Sequence, residues 1–205
     1  MVINDAGLEF RGATPNGGKQ KSIDTIVVHH RAGNGDVQSI HKQHLKQGWW
    51  GIGYHYYIRK DGSVWRGRPE EYVGSHAGSS NNYNTHSIGI CFEGNFETEQ
   101  MTDAQVKAGR ELLDDIKARY SITKVVQHKD IAATACPGKN FRLAELLSKN
   151  PDVYGTLTTV KIGNALLTGK VLNGVTYVPL NDFVKLITQQ LRVELTNSGN
   201  AAVLM

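Results

Sequence analysis

Cysteine is scarce in this chain: Cys91 and Cys136 are the only two in 205 residues. Two cysteines in a chain this long are no disulfide framework, so the fold is expected to stand without an oxidising compartment. No apolar run approaches the ~18 residues that a membrane-spanning helix requires, so no membrane insertion is expected. The N-terminus, MVINDAGLEFRGATPNGGK, lacks a basic start followed by an apolar stretch. No secretory leader is therefore expected, and the reading is a soluble protein made in a cytoplasm. Blocks of one charge sign are missing as well. Lys and Arg number 23 against 19 Asp and Glu, divided 19 to 16 over residues 1–150 and 4 to 3 over 151–205. An excess so mild and interspersed argues against a nucleic-acid partner. Internal repeats and low-complexity segments are lacking too, and the sequence leaves the oligomeric state unknown.

What is present is the composition of a globular protein, 40% hydrophobic and 20% charged, long enough for one sizeable domain and a small one. Asp24–His30 reads as a short strand, apolar on both faces and so central in its sheet. Asp36 can cap a helix running to about Gln47, with Val37, Ile40, His41 and Leu45 on one face. Tyr54–Arg59 and Ser63–Arg66 form a hairpin about Lys60-Asp61-Gly62, since Asp-Gly tolerates the positive φ of a tight turn. Ser87–Gly94 is another strand, Thr102 caps a helix to about Tyr120, and Lys124–His128 is a last short strand before a loop and a helix over Phe141–Lys149. This alternation predicts an α/β fold, a central mixed β-sheet flanked by helices.

Asn150-Pro151-Asp152 breaks the pattern, dividing residues 1–150 from 151–205. Beyond it, strands are expected at Thr158–Ile162, Leu166–Leu172, Val175–Val178, Leu191–Leu195 and Ala201–Leu204. A turn at Asn173-Gly174 and a helix over Leu180–Gln189 complete a small α+β module.

Three residues could carry metal chemistry. His29, His128 and Cys136 offer two imidazoles and a thiolate, which leaves the fourth tetrahedral position of Zn²⁺ open. His128 and Cys136 flank a single loop, H-x7-C, while His29 must come from a separate strand. The spacing is not that of a compact zinc finger, and the same residue types also fit a capped strand-end histidine beside a small buried cysteine. Cys91, inside an apolar strand, reads as core.

In order along the chain stand His29-His30, GWWGIGYHYYIRKDGSVWRGR, SHAG, Asn84-Thr85-His86-SIGI, EGNF and HKDIAATACPG. Their order and spacing resemble the N-acetylmuramoyl-L-alanine amidases of the type-2 amidase family, which includes phage endolysins and animal peptidoglycan recognition proteins. The resemblance covers roughly residues 20–148 and implies a zinc hydrolase. Its reaction would cut the amide between the lactyl group of N-acetylmuramic acid and L-alanine, with bacterial peptidoglycan as the partner. It implies His29, and not His30, as the first Zn²⁺ ligand, with His128 and Cys136 as the other two. Tyr54 falls on the tyrosine beside the metal water. Thr134 falls where phage lysins often carry lysine and zinc-active recognition proteins carry threonine, so a neutral hydroxyl meets the developing oxyanion. Another branch has a catalytic glutamate where this chain has Cys91; Glu93, on the same strand face, is a weak substitute. His76 and Asn84 match loop positions lining the family's glycopeptide groove, and Trp49 and Trp50 can stack on sugar or pack in the core.

Residues 151–205 resemble, more loosely, the repeat named for the N-terminal domain of copper amine oxidases, through Gly174-Val175-Thr176-Tyr177-Val178-Pro179-Leu180. That name implies no copper here, because the segment holds no His or Cys and its single Met is Met205. After a wall-degrading domain such a module is expected to target the wall, an oligomerisation or packing role being the alternative. The leading expectation is a phage or prophage endolysin that acts at the cell wall after release. A module that binds peptidoglycan without cutting it, or a protein with structural zinc, are the competing readings.

Overall fold

The structure, a computed structural model, describes residues 1–15, 17–78, 82–148, 156–162, 165–172, 175–177 and 184–188. The chain divides into two compact units, Met1–Leu147 and Ser148–Met205.

The first unit is built on a mixed six-stranded sheet. Its strands are β1 (Ile3–Asn4), β2 (Thr25–His30), β3 (Tyr56–Ile58), β4 (Val64–Arg66), β5 (Ser87–Phe92) and β6 (Lys124–Gln127). They lie in the order β1-β4-β3-β5-β2-β6. Only the β3–β4 hairpin is antiparallel; β1–β4, β3–β5, β5–β2 and β2–β6 are parallel. Every residue of β2 and β5 is buried. That is why TIVVHH and SIGICF are near-continuous apolar runs rather than alternating ones: each strand has parallel neighbours on both edges and cover on both faces.

Two helices supply the cover. On one face α2 (Asp103–Arg119) sets Val106, Leu112, Leu113 and Ile116 against Ile26, Val28, Tyr56, Ile58, Ile88, Ile90 and Phe92. On the other, α1 (Val37–Lys46) sets Val37 and Ile40 against Ile52, Tyr57 and Cys91. Both helices start as their sequences require. The Asp36 carboxylate accepts the Ser39 N–H at 2.7 Å, and Thr102 with Gln105 closes a capping box. Gly109 sits mid-helix because a Cβ there would meet Leu146 Cδ2 at 2.7 Å and Phe92 Cζ at 2.9 Å. The missing side chain lets the short α3 (Leu143–Leu147) close on α2.

The structure departs from the sequence expectations in three places. The strand expected over Tyr54–Arg59 is regular only at Tyr56–Ile58, and the helix expected over Phe141–Lys149 shortens to α3. The N-terminal stretch, read as loop, contributes β1, a two-residue edge held by the parallel pairing Ile3–Val64 and Asn4–Trp65. Two residues carry too little periodicity to register in a sequence.

The second unit contains an antiparallel meander of β7 (Thr156–Ile162), β8 (Ala165–Leu172) and β9 (Val175–Tyr177), with a short helix over 184–188. The break at 150–152, the turn at 173–174 and the strands expected at 191–195 and 201–204 lie outside the described residues.

Leu112 is fully buried between α2 and the sheet. Leu112→Ala is expected to lower the stability of the first unit by about 2–5 kcal/mol, since it leaves a cavity where the strands pack. The denaturant midpoint with an unchanged m-value measures it; a loss under 1 kcal/mol would mean that this helix face does not carry the core.

Candidate metal centre

The strand register brings the histidines together. Val28 lies opposite Gln127 in the β2–β6 pairing, so His29 and His128 are the next residue on each chain. Their ring centroids are 4.6 Å apart. His128 opens a 3₁₀ turn, His128–Asp130, and the Ile131 and Ala132 N–H groups just after it donate to the His128 carbonyl. The loop that follows is closed by the Lys129 N–H donating to the Cys136 carbonyl at 2.8 Å, which returns Cys136 to the same spot. The Cys136 sulfur accepts the His30 backbone N–H at 3.4 Å and lies 3.8 Å from His29 Nδ1.

One donor atom each from His29, His128 and Cys136 therefore lies within 4.8 Å of the others. Among the described residues this is the only group of three or more His, Cys, Asp or Glu so arranged. Strand alternation sends His30 to the opposite face, where its Nδ1 accepts the Phe96 N–H at 3.2 Å.

Burial sets the charge of these groups. It holds the His29 imidazole well below its ordinary value, and the charges of His128, His30 and His55 push the same way. Burial also lowers His128, with His30 adding to it. The Cys136 thiol is raised to about 11 by burial, against a smaller opposing effect of the His30 N–H. The centre is thus a set of neutral lone pairs with one proton to displace, and no carboxylate belongs to it.

Tyr54 stands beside the centre, its ring 5.1 Å from that of His29 and 5.9 Å from that of His44. Burial raises its phenol well above the ordinary value, as do Cys91 and Cys136 nearby. It is a donor, not a base. Thr134 is exposed at the rim, and its hydroxyl oxygen accepts the Cys136 N–H at 3.2 Å, leaving its own proton directed elsewhere.

His76 and Asn84, expected to line the groove, both make specific polar contacts. His76 is 5% exposed, with its Nδ1 3.0 Å from His29 Nε2. Asn84 holds the loop that carries it: Oδ1 accepts the His76 and Ala77 N–H groups at 2.9 Å each, and Nδ2 donates to the Gly78 carbonyl at 2.7 Å. Glu93 spends both carboxylate oxygens on loop amides, accepting Gly35 N–H and Lys60 N–H at 3.0 Å each. Cys91 is fully buried across from His29, where its thiol is raised by burial. Trp50 packs on Phe10 at 4.3 Å and donates to the Gly12 carbonyl, while Trp49 stays 39% exposed over the His44 ring.

Sequence reading passed over Arg68. It is buried, donates to the carbonyls of Ile52 and Val73 and to Ser75 Oγ, and so ties the segments leading into Tyr54 and His76 to the end of the hairpin. Burial lowers its guanidinium to about 10. No local pattern marks a buried arginine, because its acceptors come from two separate loops.

Residues 19–139 match the family model described as N-acetylmuramoyl-L-alanine amidase. The chain belongs to the N-acetylmuramoyl-L-alanine amidase family. It is an amidase, and peptidoglycan is its substrate polymer. It is similar to an endolysin of Klebsiella phage KP32, 36% identical over 141 residues, which are 64% of this chain and 90% of that protein. It is equally similar to peptidoglycan-recognition protein SC2 of Drosophila melanogaster, 36% identical over 68% of this chain and 82% of that protein. Among solved structures, the N-acetylmuramoyl-L-alanine amidase LysC from Clostridium intestinale URNW superposes with a TM-score of 0.65 at 38% identity. That superposition covers 71% of this chain and 95% of LysC. Among the described residues no helix is long and apolar enough to cross a membrane.

Asn84→Ala removes the three hydrogen bonds that shape the loop around His76, each worth about 0.5–1.5 kcal/mol net. The His76 and Ala77 amides are expected to exchange with solvent deuterium faster by tenfold or more, while amides of β5 keep their protection. Unchanged exchange at those two amides would remove Asn84 as the clamp.

Proposed function

We propose that this amidase depends on zinc held by His29, His128 and Cys136, and that it hydrolyses the amide between N-acetylmuramic acid and L-alanine in the manner of an endolysin. The observation that carries this reading is the convergence of three uncharged donors, two imidazoles and a thiol, within 4.8 Å. Donor atoms this close together would fit a single small cation, and His29, His128 and Cys136 are the residues that would hold it. Two nitrogens and a sulfur suit zinc better than the oxygen-seeking calcium or magnesium. Three protein ligands leave a position for water or substrate.

When bound, zinc supplies Lewis acidity, making a water nucleophilic near neutral pH and polarising the scissile carbonyl. The chain's own groups then act on substrate. Tyr54, kept protonated by burial, donates a hydrogen bond beside the reacting carbon and can pass its proton toward the departing amine. The Thr134 hydroxyl, held at the rim by its bond from Cys136, donates to the carbonyl oxygen as charge builds on it. Glu93 is committed to Gly35 and Lys60 and takes no part as a base.

The unit Ser148–Met205 lies beyond the family match, which ends at residue 139. We read it as a wall-attachment module that raises the effective concentration of the amidase at its polymer.

Two substitutions separate the metal from the donor. Cys136→Ser is expected to lose zinc and turnover together, because a neutral hydroxyl replaces a thiolate ligand. Tyr54→Phe keeps zinc and lowers kcat about 10²-fold, at the low end for acid–base assistance. Both are assayed on purified peptidoglycan by counting new L-alanine amino groups. New reducing sugars in place of amines, full zinc in Cys136→Ser, or unchanged kcat in Tyr54→Phe would each sink the corresponding assignment.

A chain ending at Asn150 is expected to cleave soluble muropeptides at the parent rate and to lose most activity on whole walls. Whole-wall clearance as fast as the parent's would rule out attachment, and loss of turnover on muropeptides would make the tail a packing partner.

A further inference from the structure

The imidazole of His29 has two nitrogens and both are spoken for. Nδ1 faces the sulfur of Cys136, another of the candidate ligands, at 3.8 Å. Nε2 faces His76 Nδ1 at 3.0 Å. A ring nitrogen ligates a cation only through its lone pair, so ligation through Nδ1 requires the proton of neutral His29 to sit on Nε2. Two imidazole nitrogens at 3.0 Å share one proton. His76 Nδ1 must then be the acceptor, and the His76 proton must be on its Nε2.

We propose that His76 is a positioning residue for the metal centre: its Nδ1 accepts the His29 Nε2–H, fixing the tautomer and ring angle that turn His29 Nδ1 toward the metal. The inference rests on the zinc reading given above.

The surroundings of His76 are shaped to that end. A Cβ at Gly89, in the middle of β5, or at Gly74 would stand 2.5 Å from His76 Cδ2, nearer than side chains approach. Two glycines on separate segments therefore form the slot that holds the ring. Asn84 fixes the backbone by accepting the N–H groups of His76 and Ala77. His55 closes the far side edge-on, with ring centroids 5.5 Å apart. Its Nδ1 accepts the Gly89 N–H at 2.9 Å, so its own proton lies on Nε2 and goes to the Tyr72 carbonyl at 3.1 Å. His55 thus offers His76 no competing acceptor at Nδ1.

One atom bears the cost. His76 Nε2 is buried with no hydrogen-bond partner among the described residues. A buried donor left unpaired needs a reason, and directing the opposite nitrogen to His29 supplies one. Metal-bound histidines more often donate their second N–H to a carboxylate or a carbonyl, which raises the basicity of the ligand. An imidazole orients the ring as firmly and adds no negative charge next to buried groups.

The test uses the full chain and two substitutions of similar size. His76→Asn keeps an acceptor, Oδ1, close to where Nδ1 stood; His76→Leu removes it. Zinc affinity is read by competition with a chromogenic chelator, and ligand geometry by the visible absorption of the cobalt-loaded protein. His76→Leu is expected to weaken zinc binding by about 10- to 100-fold and to alter the cobalt bands, the range typical of lost outer-shell partners. His76→Asn is expected to recover most of that loss. Equal affinity and identical bands in His76→Leu and parent overturn the inference, and so does an Asn variant no better than Leu. In the zinc-loaded parent, which needs no substitution to fold, ¹⁵N spectra should show the shared proton on His29 Nε2 with coupling across to His76 Nδ1. A proton on His76 Nδ1 instead overturns the proposal. A parent that takes up no zinc refutes the metal reading itself, an outcome distinct from a parent that binds while His76→Leu binds as well.

Discussion

The parallel pairing of β2 with β6, with Val28 opposite Gln127, sets His29 and His128 side by side one residue past their last shared position. In a fully buried strand a slip of one residue would turn every side chain to the other face, so this register is strongly specified by the core. Ile26 and Val28 must meet α2, and the alternation that puts them there puts His29 on the α1 face and His30 away from it. The centre is therefore fixed by hydrophobic burial several residues distant from it. Cys136 alone is delivered by a loop, and that loop is closed by a backbone bond from Lys129.

Burial also prepares the electrostatics. His29, His44, His55, His76 and His128 are all held below their ordinary values, with removal from water the leading cause in each. Five imidazoles kept neutral in a small volume are five potential donors or acceptors without the mutual repulsion that protonation would bring. The same burial keeps Tyr54 protonated. Neutral imidazole lone pairs and a protonated phenol thus lie side by side in one buried volume, the arrangement on which the proposed zinc reading rests.

The parts that touch the centre from outside the sheet are held by polar clamps. Asn84 fixes the His76 loop, Glu93 joins Gly35 to Lys60, and Arg68 ties Ile52 to Val73 and Ser75. Each uses a side chain to satisfy backbone groups of segments that have no strand partner, as buried loops require. Residues that look like groove or base candidates in a motif are engaged in this work.

Much was legible in the residues by themselves. The buried central strands, the two capped helices and the Lys60-Asp61-Gly62 hairpin follow from local pattern, because caps, turns and core periodicity are short-range in sequence; the family was legible only through the resemblance of its motif series. The three candidate ligands could be named too, but residue types and spacing alone fitted a strand-end histidine and a small buried cysteine better, and only the family resemblance singled them out. What tertiary structure decided was proximity: 99 positions separate His29 from His128, and only strand pairing closes that distance. It also decided orientation, turning His76 inward against His29 and committing Asn84 and Glu93 to backbone. No periodicity encodes which nitrogen of a ring faces which neighbour, since that depends on groups drawn from distant segments into one buried volume.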